Sequence, residues 1–270
     1  MALHISGSAV SPQPIITGVT QQRLFSDRQA KDTHVAIDRY AVAAGASFKF
    51  NVGAGSIIWV QVLDGEATLR TPYTTGPLRE SISFTLPAGV QATLSTDNVV
   101  SFLQVEIREP AGATSAARLV AIDWRREPVF ETKDARKRVL LVSPAIVNTT
   151  AFKADMVIYP AGGAAPTIHR EGAETFGYVI SGRGIATSGG RDIAMRDGDL
   201  VYFPDRERHA LRAGGDGEFR FLQLNAPGTF ETIWADDRSA STWADTGLDI
   251  EGRRPLTEFK ERWAYAWRGA

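Results

Sequence analysis

Two stretches, Ser56-Ile-Ile-Trp-Val-Gln-Val-Leu-Asp64-Gly65 and Thr175-Phe-Gly-Tyr-Val-Ile-Ser181-Gly182, decide how this chain reads. Each is a short apolar run rich in β-branched and aromatic residues that stops at a small polar residue followed by glycine, the signature of a strand closing in a turn. Laid over one another they fix an offset of 117 residues. With no gap, that offset places Ala43-Ala44-Gly45 on Pro160-Ala161-Gly162, Val62-Leu63 on Val179-Ile180, and Pro87 on Pro204. After two extra residues near Gly214 to Gly217, Phe102-Leu103-Gln104 meets Phe221-Leu222-Gln223. An ordered set of turn and strand positions in constant register marks an internal duplication. The repeats cover roughly residues 30 to 110 and 150 to 230, with a linker around Glu109 to Ser115.

Outward from these stretches the pattern continues as short strands closed by Gly, Pro or Asp, which predicts an all-β sandwich or barrel. The one helical periodicity comes at the end, where Phe259, Trp263 and Trp267 recur every four residues over Glu258 to Arg268. The expected division is an N-terminal barrel over 1–118, a second barrel over 119–235 and a helical tail over 236–270.

Composition narrows the function classes. A net charge of −1 offers no basic field for nucleic acid or anionic lipid. Without cysteine there is no disulfide, thiolate metal site or cysteine nucleophile. No leader-like segment and no run of 18 apolar residues is present, so a cytoplasmic protein with no membrane partner is expected. Gly182-Arg-Gly184 joins two predicted strands and reads as a turn, not a dinucleotide loop. His4 and His34 lack ligand-spaced neighbours and are expected at the surface.

The second copy carries residues that resemble the cupin superfamily. That family's first motif runs Gly, five residues, His-x-His, three or four residues, Glu, six residues, Gly. Here the corresponding stretch is Gly163 to Gly182, with Thr167 in place of the first His, then His169 and Glu174. The second motif runs Gly, five residues, Pro-x-Gly, two residues, His, three residues, Asn. Gly198, Pro204 and His209 keep its spacing, while Arg206 replaces the glycine and Ala213 the asparagine. The resemblance implies two tandem cupin (double-stranded β-helix, jelly-roll) barrels with a C-terminal helix, and a metal held by His169, Glu174 and His209. It also implies a homodimer.

Such a site can be argued from the residues alone. Residues two apart on a strand share a face, so Thr167 and His169 would both meet the barrel interior. Two imidazoles and a carboxylate suit a divalent transition metal (Fe, Mn, Ni or Zn) and leave positions open for a ligand. The competing reading makes the histidines ordinary polar residues of a barrel mouth. Tyr178 and Phe176 are expected to line the site, and Arg170, Arg206 or Arg208 to bind an acidic substrate. Thr167, Tyr178 and Arg208 are therefore the candidate catalytic residues. In the first copy the offset turns Thr167, His169, Glu174 and His209 into Phe50, Val52, Ile57 and Ala92, which cannot bind metal and would pack the interior.

Two function classes follow. One is a metal-dependent enzyme acting on a small oxygen-rich or carboxylated substrate, a dioxygenase before an isomerase or lyase. The other is a small-molecule binding or regulatory module whose metal site has decayed.

Overall fold

The computed structural model describes residues 1–108, 117–165, 168–235 and 242–257. The chain is nearly all-β and forms two compact units. One comprises Val10–Asp123 and Val147–Thr149, and the other Met1–Ala9, Trp124–Ile146 and the residues from Thr150 onward. The predicted tail helix, with Phe259, Trp263 and Trp267, and the linker at Glu109 to Ser115 lie outside the described residues.

In the first unit the larger sheet runs β12 (Val120–Asp123), β9 (Ile82–Pro87), β6 (Ser56–Asp64), β11 (Val100–Arg108), β4 (Val35–Val42), β3 (Val19–Phe25), β2 (Gln13–Ile16). The smaller sheet runs β5 (Ser47–Phe50), β10 (Ala92–Ser95), β7 (Glu66–Arg70), β8 (Thr75–Arg79). In the second unit the larger sheet runs β1 (Leu3–Ile5), β20 (Leu200–Phe203), β17 (Glu174–Ser181), β22 (Phe219–Ala226), β15 (Lys153–Tyr159), β14 (Lys137–Val142), β13 (Val129–Glu131), β24 (Ala244–Asp245). Its smaller sheet runs β19 (Arg191–Met195), β18 (Gly184–Ser188), β21 (His209–Ala213), β16 (His169–Glu171), β23 (Thr232–Trp234).

Shifted by 117 residues, β4, β6, β7 and β10 fall on β15, β17, β18 and β21, in the same order within their sheets. The duplication is therefore structural. Its turn glycines are matched in detail. Gly65 and Gly182 have φ of 83° and 89°, and a Cβ on either would stand 2.2 Å and 2.1 Å from the carbonyl oxygens of Val99 and Glu218. Only a residue without Cβ fits a left-handed backbone pressed against another strand.

The N-terminus departs from the expected division. Residues Met1–Ala9 join the second unit, because β1 pairs antiparallel with β20, Leu3 opposite Tyr202 and Ile5 opposite Leu200. His4, expected at the surface, is exposed there, and its Nε2 lies 3.1 Å from Asp199 Oδ2. Asp199 also accepts from the backbone N–H of Gly7. This buried carboxylate fixes the strand in place.

The interior of each unit follows strand alternation. In the first, Phe48, Phe50, Tyr40, Phe84 and Phe102 pack edge-on, tilted or stacked with centroids 4.8 to 5.6 Å apart, together with Ala92 and the partly buried Val52. Phe50, Val52 and Ala92 thus fill the space as expected. Ile57 does not, since Ile58, Val60 and Val62 are the residues of β6 that face this core. In the second unit the apolar core holds Val157, Tyr159, Val179, Val201, Phe203, Leu211, Phe219 and Phe221. The odd-numbered residues of β15, β17, β20, β21 and β22 therefore point inward.

Candidate metal centre

Three side chains converge at one end of the second unit's interior: His169, Glu171 and His209, with one potential ligand atom from each, all within 4.8 Å of one another. Register brings them there. His169 on β16 is the direct antiparallel partner of His209 on β21, and their rings lie 4.6 Å apart, centroid to centroid. Glu171, two residues along β16, shares the face of His169, and its carboxylate approaches His169 Nε2 to 3.9 Å.

Each donor is prepared by its surroundings. His209 is almost fully buried, with Phe203 stacked on its ring at 4.2 Å. Its Nδ1 lies 2.8 Å from the carbonyl oxygen of Glu207, which can only accept, so Nδ1 carries the proton and Nε2 keeps a free lone pair. Burial, reinforced by the neighbouring His169 and opposed by Glu171, pushes the His209 imidazole down to about 4, so the ring is neutral at pH 7. Glu171 is 5% exposed, and its Oε2 accepts from Thr175 Oγ1 at 2.7 Å and from Asn225 Nδ2 at 2.5 Å. Asn225 also donates to Thr175 Oγ1, which closes the triangle. Oε1 is left toward His169. An imidazole with a free lone pair at His209 and an oriented carboxylate at Glu171 suit a divalent transition metal, with His169 beside them, so these residues fit such an ion. Trp234, opposite His169 across β16 and β23, covers the second imidazole with centroids 4.7 Å apart.

The expected carboxylate, Glu174, is not in this cluster. It begins β17 with the parity of Phe176 and Tyr178, whereas Thr175, Gly177 and Val179 face inward. Its Oε1 accepts from the Tyr202 hydroxyl at 2.9 Å, on the other side of the sheet. The same alternation removes Tyr178 and Phe176 from the lining, and Phe176 packs against the Tyr202 ring instead. Counted two residues backward from His169, strand alternation points to Thr167; counted forward, it points to Glu171. Thr167 itself lies outside the described residues.

A register change accompanies the site. Ala164 bridges Arg212 as Ser47 pairs with Ser95, but His169, not Thr167, then stands opposite His209 where Phe50 stands opposite Ala92. Two extra residues are taken up between Ala164 and His169, and His169 occupies the position of Phe50.

The arginines sit outside the cluster. Arg208 is exposed beside His209. Arg206 holds φ of 59° at the position where the resembling motif has glycine, and its side chain is 76% exposed. Arg170 alternates away from His169 and Glu171, and with Arg206, Gly172, Glu231 and Ile233 it lines a pocket of about 390 Å³ that Glu171 borders.

The family model described as Cupin domain matches residues 155–225, which contain every donor named above. No curated protein matches the chain in sequence. Among solved structures, similarity is found to oxalate decarboxylase from Bacillus subtilis. A single-substitution variant of that enzyme aligns with a TM-score of 0.69 at 13% identity, covering 86% of this chain and 79% of that one. Its structure at pH 4.6 gives 0.68 at 13%, covering 86% and 78%. A structure reported for its Mn(II) centres gives 0.68 at 14%, covering 86% and 79%. At such identity the likeness is one of fold. The cupin-domain match is confined to residues 155–225 of the second unit, and over the rest of the chain the similarity is one of fold.

Proposed function

We propose that the second barrel is a metal-dependent catalytic site for a small carboxylated or oxygen-rich molecule. The observation that carries this reading is the donor set itself: His169, Glu171 and His209 converge, with His209 fixed in one tautomer and Glu171 held by Thr175 and Asn225. A divalent ion on these three donors would have open positions and would act as a Lewis acid toward a carboxylate or carbonyl oxygen. The protein's own part is orientation and exclusion of water. Phe203 and Trp234 shield the two imidazoles, while Thr175 and Asn225 keep the Glu171 carboxylate pointed. Phe176 and Tyr178, the two aromatic residues expected to line the site, face the other way, which removes their support for dioxygen chemistry. The fold shared with oxalate decarboxylase supports lyase or decarboxylase chemistry in its place.

The test is to load the protein with Mn(II) and present a panel of small carboxylates, following carbon dioxide release and oxygen consumption in parallel. Product formation that disappears in His209→Ala supports the reading. Oxygen uptake with no carbon dioxide release would move it to an oxygenase. Binding of carboxylates with no turnover under any metal would make the barrel a binding module.

A further inference from the structure

The interior wall beside the metal centre bears charges that the donor set does not use. Across the large sheet, Thr175 on β17 pairs with Asn225 on β22, and Asn225 with Lys153 on β15. One row deeper, Gly177 pairs with Gln223 and Gln223 with Asp155. All six therefore share the inward face. Arg138 on β14 joins them as the partner of inward-facing Val157. Asp155 is 1% exposed, and its Oδ2 receives Lys153 Nζ at 2.9 Å and Arg138 Nη1 at 4.0 Å.

Three features of this triad point to a ligand. Two cations share one carboxylate, which among the described residues leaves one positive charge without a counter-ion, in a wall where burial makes unbalanced charge costly. Asp155 Oδ1 and Arg138 Nε are buried with no hydrogen-bond partner among the described residues. The wall also meets open space. Gln223 is half-buried although it lies mid-sheet, and its neighbours on the opposite face, Leu222 and Leu224, are 2% and 3% exposed. Its exposure must come from the barrel interior. The Lys153 and Arg138 side chains are 21% and 17% exposed. A hydrogen-bonded path connects this wall to the metal centre, from Gln223 through Asn225 to Glu171.

We infer that Lys153, Arg138 and Asp155 form the distal half of the substrate site, binding an anionic group of a ligand whose other end lies at His169, Glu171 and His209. This deepens the proposed function and rests on it for the reacting end. The row geometry gives the ligand's shape, with its second anionic group one to two strand spacings, roughly 5–10 Å, from the first. Lys153 and Arg138 supply charge-assisted donors, and Asp155 holds both in place and accepts from a hydroxyl through Oδ1. The substrate class is thus a small diacid or hydroxy-diacid.

The experiment is calorimetric titration of the full-length Mn(II)-loaded protein with straight-chain α,ω-diacids from malonate to adipate, each against the monocarboxylate of equal length. The best diacid should bind about 10-fold or more tighter than its monocarboxylate, as expected for a charge-assisted contact. Lys153→Met should abolish that margin at unchanged metal content, and Lys153→Arg should restore part of it. Arg138→Gln provides a second variant. Equal binding of diacid and monocarboxylate by the wild type, or a margin intact in both variants, overturns the inference. The same titrations on protein carrying His169→Ala and His209→Ala separate the two readings. A Lys153-dependent preference for anions that survives without the metal ligands keeps the distal pocket even if the metal assignment fails.

Discussion

His169 and His209 stand directly opposite one another across β16 and β21, with ring centroids 4.6 Å apart, in the register that the first barrel gives to Phe50 and Ala92. One framework position thus carries a packed aromatic ring in one copy and a candidate ligand in the other. Duplication conserved the frame and left the interior of each barrel to specialise. The aromatic cluster around Phe50 fills one interior, while the other brings His169, Glu171 and His209 together.

Asn225 should matter to metal affinity although it does not reach the cluster's free donor atoms. Its amide holds Glu171 Oε2 and Thr175 together in a buried triangle. Asn225→Ala is expected to weaken metal binding about 10- to 100-fold, as for other partners that orient a ligand. It should also cost about 1–3 kcal/mol of stability from unmet hydrogen bonds. Competition against a chelator of known affinity measures the first effect, and urea denaturation the second.

Much of this was legible in the sequence, and the failures share one cause. The duplication, the strands and both histidines followed from turn residues and spacing. The carboxylate did not, because motif spacing pointed to Glu174 while strand parity turns Glu174 toward Tyr202 and gives Glu171 to the cluster. Parity depends on where a strand starts, and the two residues absorbed between Ala164 and His169 are invisible without the pairing. Tyr178 was misplaced for the same reason. The docking of Met1–Ala9 on the second unit was not legible at all, since a three-residue edge strand carries no periodicity and its anchor, Asp199, is distant in sequence.

Gly65 and Gly182 should be equally intolerant of a side chain. Alanine at either combines a left-handed φ with a Cβ about 2 Å from a carbonyl oxygen. Each substitution is expected to destabilise its own barrel by more than about 2 kcal/mol. Gly189, also at positive φ but with nothing near its Cβ, should lose only about 1 kcal/mol on the same change. Thermal melts of the three variants provide the comparison.

Acid should loosen the metal-free second barrel through His209. Its native imidazole is pushed down to about 4, below the value of about 6.5 that it regains on unfolding. Between these values the unfolded chain binds a proton that the native state does not, so stability is present above about pH 6.5 and is lost as pH falls toward 4. The loss attributable to this group is on the order of 2–3 kcal/mol. His209→Asn should flatten that part of the profile, read as the difference between wild-type and variant stabilities across the window.

The central claim is that His169, Glu171 and His209, and not Glu174, hold one metal ion. Its most direct test is elemental analysis of protein purified without chelators, comparing the wild type with Glu171→Gln and Glu174→Gln. The account predicts about one first-row transition metal per chain in the wild type and in Glu174→Gln, with a large loss in Glu171→Gln. A wild type that takes up no metal, or metal retained by Glu171→Gln and lost by Glu174→Gln, would contradict it.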